Sequence, residues 1–408
     1  MSFPRYPKYK DSGVEWLGQV PEHWEVKRLK HNLRLLTEKT DRRDHPVALE
    51  NIEGWTGKFL PTETEFEGEG IAFDSGDILF GKLRPYLAKA YRADSSGEAV
   101  GDFHVMRPSS EIDSRYAQYQ ILNREFIAIV DGSTFGSKMP RASWEFVGRM
   151  KVTMPPLAEQ TAIADFLDLE TAKIDELIAE QQQLIELLKE KRQAVISHAI
   201  TKGLNPDAPM KDSGIEWLGQ VPAHWETVAL KRIIQMKSGE SITAEQIDES
   251  GSYPVFGGNG LRGYTSSFTH DGEYVLIGRQ GALCGNINYA EGKFWASEHA
   301  VVASPLTPID TRWLGKMLLV MNLNQYSVSA AQPGLSVEIV ENLKSILLPL
   351  AEQTAIANFL DLEMAKIDGL TVQAQKAITL LQERRTALIS AAVTGQIDVR
   401  PLLEQQAA

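Results

Sequence analysis

Only a few residues in this chain have types and spacings that invite a chemical reading. Gly76-Asp-Ile-Leu-Phe-Gly-Lys82 reproduces most of a phosphate-binding loop, in which backbone amides and a lysine cradle phosphates and a final Ser or Thr holds magnesium. Position 83 is Leu, so the magnesium ligand is missing, and Asp-Ile-Leu-Phe is a strand sequence rather than a glycine-rich cradle. Nucleotide binding is not expected. Asp271 with Glu291-Gly-Lys293 supplies two acids and a lysine, as a metal-dependent nuclease needs, but Glu291-Gly292 reads more simply as a hairpin tip between Tyr289 and Phe294. Ser197-His198 lacks an acid placed to orient the imidazole. His23 and His224 each precede a Trp in a repeated segment, where packing explains them better than catalysis. The chain has no Asn-Pro-Pro-Tyr-like adenine pocket and no glycine-rich loop after a strand for a methyl donor. No catalytic site and no metal site are expected.

The elements that would position any site follow from length and repetition. A chain of 408 residues, 43% hydrophobic and 24% charged, can bury sizeable cores and is expected to form two or three domains. Its single cysteine, Cys284, excludes an internal disulfide. With no charged leader and no apolar run near twenty residues, a soluble cytoplasmic protein is expected. The net charge of −12 argues against a generally cationic surface. Much of that acidity lies between Leu157 and Ile200 and in the Glu63, Glu65, Glu67, Glu69 run, which leaves room for a locally basic face.

The chain is written twice. Lys10-Asp-Ser-Gly-Val-Glu-Trp-Leu-Gly-Gln-Val-Pro-Glu-His-Trp24 returns as Lys211-Asp-Ser-Gly-Ile-Glu-Trp-Leu-Gly-Gln-Val-Pro-Ala-His-Trp225. Pro156-Leu-Ala-Glu-Gln-Thr-Ala-Ile-Ala-Asp-Phe-Leu-Asp-Leu-Glu170 returns as Pro349-Leu-Ala-Glu-Gln-Thr-Ala-Ile-Ala-Asn-Phe-Leu-Asp-Leu-Glu363. Two near-identical frames thus carry two dissimilar inserts, an arrangement better read as a pseudo-twofold molecule than as a solenoid.

The second repeated segment begins a long helix in each copy, with proline at the first turn and Glu159 or Glu352 where the helix dipole favours an acid. Leu167, Ile174, Leu188 and Val195 recur at multiples of seven, Leu177, Ile178, Leu184 and Ile185 complete the stripe, and Leu360, Ile367, Leu370, Leu381 and Leu388 repeat the register. Roughly 40 residues at about 1.5 Å each make a rod of about 60 Å. Each helix is the other's natural partner, and antiparallel packing is expected. The inserts read as strand-rich α/β domains. Gly76–Tyr91 and Glu273–Tyr289 each suggest strand, glycine turn and strand, with helices expected from Ser114 to about Val130 and from Asp310 to about Met321. The expected division is a repeated segment (1–25), a first insert (26–154), a spacer helix (155–203), a linker with the second repeated segment (204–226), a second insert (227–348), a second spacer helix (349–396) and a tail (397–408).

These residues resemble the specificity subunits of type I restriction–modification enzymes over nearly the whole chain. The twice-present Pro-Leu-Ala-Glu-Gln…Ile…Phe-Leu-Asp helix start is the most specific signature, and Trp-Leu-Gly-Gln-Val-Pro-x-His-Trp supports it. The resemblance implies that each insert is a target-recognition domain reading half of a split DNA site. It implies that the helices set the gap and dock two adenine methyltransferase subunits, to which restriction and translocase subunits can add. S-adenosylmethionine, ATP and Mg would then belong to those partners, and this chain would carry no cofactor. The reading in another class is a coiled-coil scaffold that reads no DNA, which the negative charge favours.

Base edges are read by Arg or Lys at guanine and by Asn or Gln at adenine, with hydroxyls and aromatics where shape matters. Polar residues on turns beside glycines suit that task. In the first insert these are Lys82, Arg84, Tyr86, Lys138 and Arg141; in the second, Asn259, Arg262, Tyr264, Arg279 and Gln280, with Gln332 in the matching loop before its helix.

Overall fold

The computed structural model describes residues 3–41, 45–62, 69–136, 138–281, 283–327 and 334–402. The repeated Lys-Asp-Ser-Gly segments fold as the same small hairpin twice. Tyr9–Asp11 pairs with Gln19–Pro21, and Met210–Asp212 pairs with Gln220–Pro222 in the same register. Asp11 Oδ1 accepts from Gly13 N at 2.9 Å and Asp212 Oδ1 from Gly214 N at 3.0 Å, so both turns close on the same local side-chain bond.

The chain divides into two units, residues 1–182 with 375–408 and residues 183–374. In the first, three helices follow the strands of the insert: α1 (Ser114–Ile121), α2 (Arg124–Gly132) and α3 (Trp144–Val147). One helix was expected across the first two. Instead Asn123, with extended backbone and fully buried, accepts from the amides of Glu125 and Phe126 and starts a new helix. A side chain that caps so well competes with the helical backbone, which breaks there. The long helix α4 (Leu157–Lys202) follows. The second insert supplies α5 (Thr311–Val320), capped by Asp310, and α6 (Val337–Asn342), before the second long helix α7 (Leu350–Val393).

Each insert holds two four-stranded sheets, of which one has the same strand order in both. In the first, an antiparallel sheet runs Leu33–Leu36, Phe103–Pro108, Ile78–Gly81, Ala90–Arg92; in the second the order is Ile234–Ser238, Ala300–Pro305, Tyr274–Gly278, Ile287–Ala290. The strand–turn–strand segments read from sequence are the last two strands of each. A further sheet in each insert includes one parallel pair, Glu98 beside Pro46 in one and Val255 beside Trp295 in the other. Glu291-Gly292 does not close a hairpin, because the strands on either side of it join different sheets. The strand after each repeated hairpin pairs with the strand before the long helix, Glu25–Arg28 with Lys151–Met154 and Glu226–Ala229 with Lys344–Leu347, which closes each insert upon itself.

The two repeated segments exist to hold each other. Glu159, buried at the start of α4, accepts from Tyr6 Oη at 2.5 Å and Trp24 Nε1 at 3.0 Å and lies 2.8 Å from His23 Nε2. Its counterpart Glu352 accepts from Trp225 Nε1 at 3.1 Å and lies 2.8 Å from His224 Nε2. Both tryptophans are fully buried. Gln160 and Gln353 likewise receive the backbone amides of Asp113 and Asp310, tying each helix to the cap of the domain helix before it.

The long helices pack together antiparallel. In the first unit Ile163, Leu167 and Ile174 of α4 share a core with Leu388, Ile389 and Val393 of α7; in the second, Leu188, Ile196 and Ile200 share one with Ile356, Leu360 and Ile367. The seam is narrower than the apolar stripe: Leu177, Leu184 and Leu187 of α4, and Leu370 and Leu380 of α7, remain exposed. No helix among the described residues is apolar enough over its length to cross a membrane.

Candidate nucleic-acid interface

In the first unit the strand Ile78–Gly81 runs into a loop that five backbone bonds fix in place. Gly81 N donates to Lys89 O (2.8 Å), Lys82 N to Asp102 O (2.9 Å), Ala142 N to Lys82 O (2.9 Å), Arg84 N to Pro140 O (2.9 Å) and Arg141 N to Phe135 O (3.3 Å). The loops 82–88 and 134–142 are therefore one surface, and Lys82, Arg84, Tyr86, Lys138 and Arg141 are all brought to it. Arg84 and Ala88 both have left-handed backbone, at φ 50° and 48°, which non-glycine residues hold only where their surroundings impose it.

The five side chains are not equivalent. Arg84, Tyr86 and Lys138 are exposed. Arg141 is engaged with Asp102, its Nε and Nη2 at 3.0 and 2.8 Å from the two carboxylate oxygens, and Lys82 Nζ stands 3.8 Å from the same group. The hydrogen bond from Arg141 holds the Asp102 carboxyl below the usual carboxylate range. Sequence reasoning missed the apolar part of this surface. Phe135, 67% exposed, with Met139 and Leu87 stands among the cations.

The second unit builds three of these bonds from other residues. Gly278 N donates to Asn286 O (2.8 Å), Arg279 N to His299 O (2.9 Å) and Leu335 N to Arg279 O (2.9 Å). Arg279 thus occupies the place of Lys82, and His299 that of Asp102. The Arg279 Nη1 donates to Ser238 Oγ at 3.1 Å, Gln280 bridges to Gly334, and Asn286 Nδ2 donates to Asn259 Oδ1 at 2.9 Å. The turn at Gly257–Gly260 brings Asn259 and Arg262 to this group: Gly258 lies so close to Gly278 and His299 that only glycine fits at 278, and the Arg262 stem lies over Gly257. Tyr264 is not brought there. It sits at the far end of its strand, where it exchanges backbone bonds of 2.9 Å with Asp248. Gln332 lies outside the described residues. His299 and exposed Leu261 and Leu283 complete the surface; no motif marks them in the sequence.

The motifs that mimic catalysis are accounted for structurally. Ile78–Gly81 is a buried strand whose amides serve the sheet, and Asp77 before it takes Arg107 Nη2 at 2.7 Å. Asp271 stands opposite Lys293 across a strand pair. No cluster of three or more His, Cys, Asp or Glu placed to hold a metal occurs among the described residues.

A two-fold repetition of one loop-bearing scaffold is also what comparison with known proteins finds. Residues 21–187 and 222–379 each match the model of the type I restriction modification DNA specificity domain. The chain belongs to that family. Among relatives of this specificity family, the type I restriction enzyme EcoprrI specificity subunit of Escherichia coli is 48% identical over 146 residues, which is 35% of this chain and 35% of that relative. The chain thus matches about a third of that protein's length. The MjaVIII specificity subunit of Methanocaldococcus jannaschii is 22% identical over 436 aligned positions, covering 94% of this chain and 95% of its own. Two solved structures share the fold. One is a chain from a study of complex assembly and conformational transition of the type I R-M system, with a TM-score of 0.73 at 17% identity, covering 92% of this chain and 98% of that one. The other is the HsdS subunit from Thermoanaerobacter tengcongensis, with a TM-score of 0.56 at 18% identity, covering 93% and 98%.

Proposed function

We propose that this chain is the DNA-reading subunit of a type I restriction–modification complex. Each insert reads one half of a bipartite site, and α4 and α7 set the gap and dock adenine methyltransferase subunits. The chain supplies no catalysis of its own. The observation that carries this reading is the exchange of residues on one backbone design: Lys82, whose amide donates to the Asp102 carbonyl in the first unit, becomes Arg279, whose amide donates to the His299 carbonyl in the second. A scaffold kept constant while its loop residues change is what reading two different half-sites requires.

In this reading Arg84, Tyr86 and Lys138 of the first insert and Asn259, Arg262, Arg279 and Gln280 of the second face base edges. Lys82 and Arg141 shape the loop through Asp102, and Tyr264 contributes from the margin. The exposed leucines at matching places on the two long helices, Leu177 with Leu370 and Leu187 with Leu380, offer an apolar surface to the docked subunits.

The test is a selection from random duplex DNA by the full chain with and without the methyltransferase subunits. A split motif enriched in the assembly is expected, and replacing residues 26–154 by another family member's insert is expected to change one half of it. Assembly without any enriched motif would leave the chain a protein scaffold.

A further inference from the structure

Away from the recognition loops, the first unit carries a second cationic surface. Arg28 lies directly opposite Lys151 in the strand pair that closes the insert. The pairing continues as Leu29 N donates to Met150 O at 2.8 Å and Lys30 N to Gly148 O at 3.0 Å, so Arg149 and Lys30 join them on one short ladder with His31 beside it. All five side chains are exposed, and Arg28, Lys30, Arg149 and Lys151 make no ion pair among the described residues. The acids nearby do not answer them. Glu25 and Glu111 are held by Lys27 at 2.8 and 3.6 Å, and Glu145 stands on α3. Like charges facing each other across a strand pair oppose folding.

The second unit keeps part of this charge, in Lys231, Lys344 and Arg232 at the place of His31, but not all of it. There Ala229 faces Lys344, and Asn342 replaces Arg149 and accepts from Lys231 Nζ at 2.7 Å. Four exposed cations without an ion pair among the described residues thus stand on eight residues, in a chain of net charge −12.

We propose that residues 28–31 and 148–151 form a sequence-independent anchorage for the sugar–phosphate backbone of duplex DNA flanking the half-site read by the first insert. This rests on the reading of the chain as a DNA-binding subunit and adds a site to it. The cations spread along a ladder instead of converging on a pocket, which suits a polyanion better than a small anion. They are also continuous with the recognition loops. Arg141 leads through α3 to Arg149, and the strand Phe103–Pro108 runs from Gly81 at the loop end to Leu33 at the patch end. Five residue steps of about 3.4 Å make that about 17 Å. That strand is itself largely buried and only measures the separation of the two surfaces; duplex DNA, with a charge about every 1.7 Å of axis counted over both strands, carries about ten phosphates over such a length.

The experiment measures how the affinity of the assembled complex for a duplex of about 40 base pairs falls with salt, since each neutralised phosphate adds about 0.9 to the slope of log K against log salt. The quadruple variant Arg28→Gln, Lys30→Gln, Arg149→Gln, Lys151→Gln is expected to flatten that slope by about 2 to 4 while keeping the selected sequence motif. Arg5→Gln with Lys10→Gln, exposed cations of the same unit, is expected to change it by less than about 1. Without DNA the quadruple variant is expected to unfold no earlier than the parent. A slope change no larger than the control's overturns the proposal. So does a lowered unfolding midpoint, which would make the cations structural, or a loss of subunit assembly at unchanged slope, which would point to an acidic protein surface. A parent complex without sequence preference, whose slope the variant still flattens, would refute base reading and leave the anchorage standing.

Discussion

Arg385 and Asp175, 210 residues apart in sequence, meet with Arg385 Nε 3.1 Å from Asp175 Oδ1. Counted from the Leu-Ala-Glu-Gln starts of the two long helices, the same two positions are Arg192 and Asp368, which pair at 2.5 Å. Antiparallel packing of a repeated helix makes one residue pair twice, but in unlike surroundings. In the first unit Arg385 Nη1 also donates to the Trp55 carbonyl at 2.8 Å and Lys58 reaches Asp175 at 2.8 Å, so the insert is fastened to the helices and Arg385 is 8% exposed. In the second unit Arg192 and Asp368 are 42% and 55% exposed.

Replacing Arg385 by Ala leaves the largely buried Asp175 carboxylate with one lysine and takes a donor from the Trp55 carbonyl. It is expected to cost about 2 to 4 kcal/mol. Arg192→Ala, at an exposed pair, is expected to cost under about 1 kcal/mol. Urea unfolding of the two variants checks this, and equal losses would mean that the burial of Arg385 counts for nothing.

Glu159 serves three side chains of the repeated segment and Glu352 serves two. The Glu159 side chain is 6% exposed and that of Glu352 is 28%. Glu159→Ala is therefore expected to destabilise its unit by about 2 to 3 kcal/mol, and Glu352→Ala by about half as much. Hydrogen exchange at the amides of Trp24 and Trp225 resolves the two effects.

Arg84→Ala and Lys138→Ala should weaken recognition of one half-site and leave the other unchanged. Removing one side chain that hydrogen-bonds a base edge is expected to cost about 1 to 3 kcal/mol, which is about fivefold to about 150-fold in affinity. Arg279→Ala and Gln280→Ala should do the same to the other half. Selection by each variant complex reads this directly, and a uniform loss over both halves would show that these residues hold phosphates instead.

His104 is buried, packs on Trp144 and lies 3.0 Å from the Ala142 carbonyl next to the recognition loop. Burial pushes its pKa below the ordinary value of 6.5, outweighing the bond to Ala142, and the nearby Lys82 charge lowers it further. Below about 6.5 the unfolded chain then takes a proton that the folded one refuses. Stability from this group is complete above that pH and falls as pH drops through the folded value. His270, stacked on Phe294 and also lowered by burial, acts in the same direction. Thermal melts at pH 7.5 and 5.5 are expected to show a loss that His104→Gln, which keeps a donor for Ala142, reduces and that His104→Gln with His270→Gln reduces further.

Local signals carried the sequence reading as far as they extend. The proline-started long helices, the strand–turn–strand segments and the helix expected from Asp310 to about Met321 all rest on residues a few positions apart, and the structure has each of them. The break at Asn123 was also written locally, in a capping residue that lies within a helical pattern. The division of each insert into two sheets, with Glu291-Gly292 crossing between them, was not legible, because alternation of apolar residues does not say which strand is a neighbour. Leu177 and Leu370 fit the heptad stripe as well as Leu167 does, and only the partner helix shows which of them the seam covers.

The sequence by itself determined that one architecture is used twice, since near-identical residues face identical local physics wherever they occur. Tertiary structure alone decided which loop residues share a surface. Lys82 and Arg141 converge on Asp102, Arg279 meets His299, and Tyr264 stays apart, because those meetings depend on strand order and on closures between segments tens of residues distant. The same long-range packing buried Arg385 and left Arg192 in water, although both stand at one position of one repeated helix.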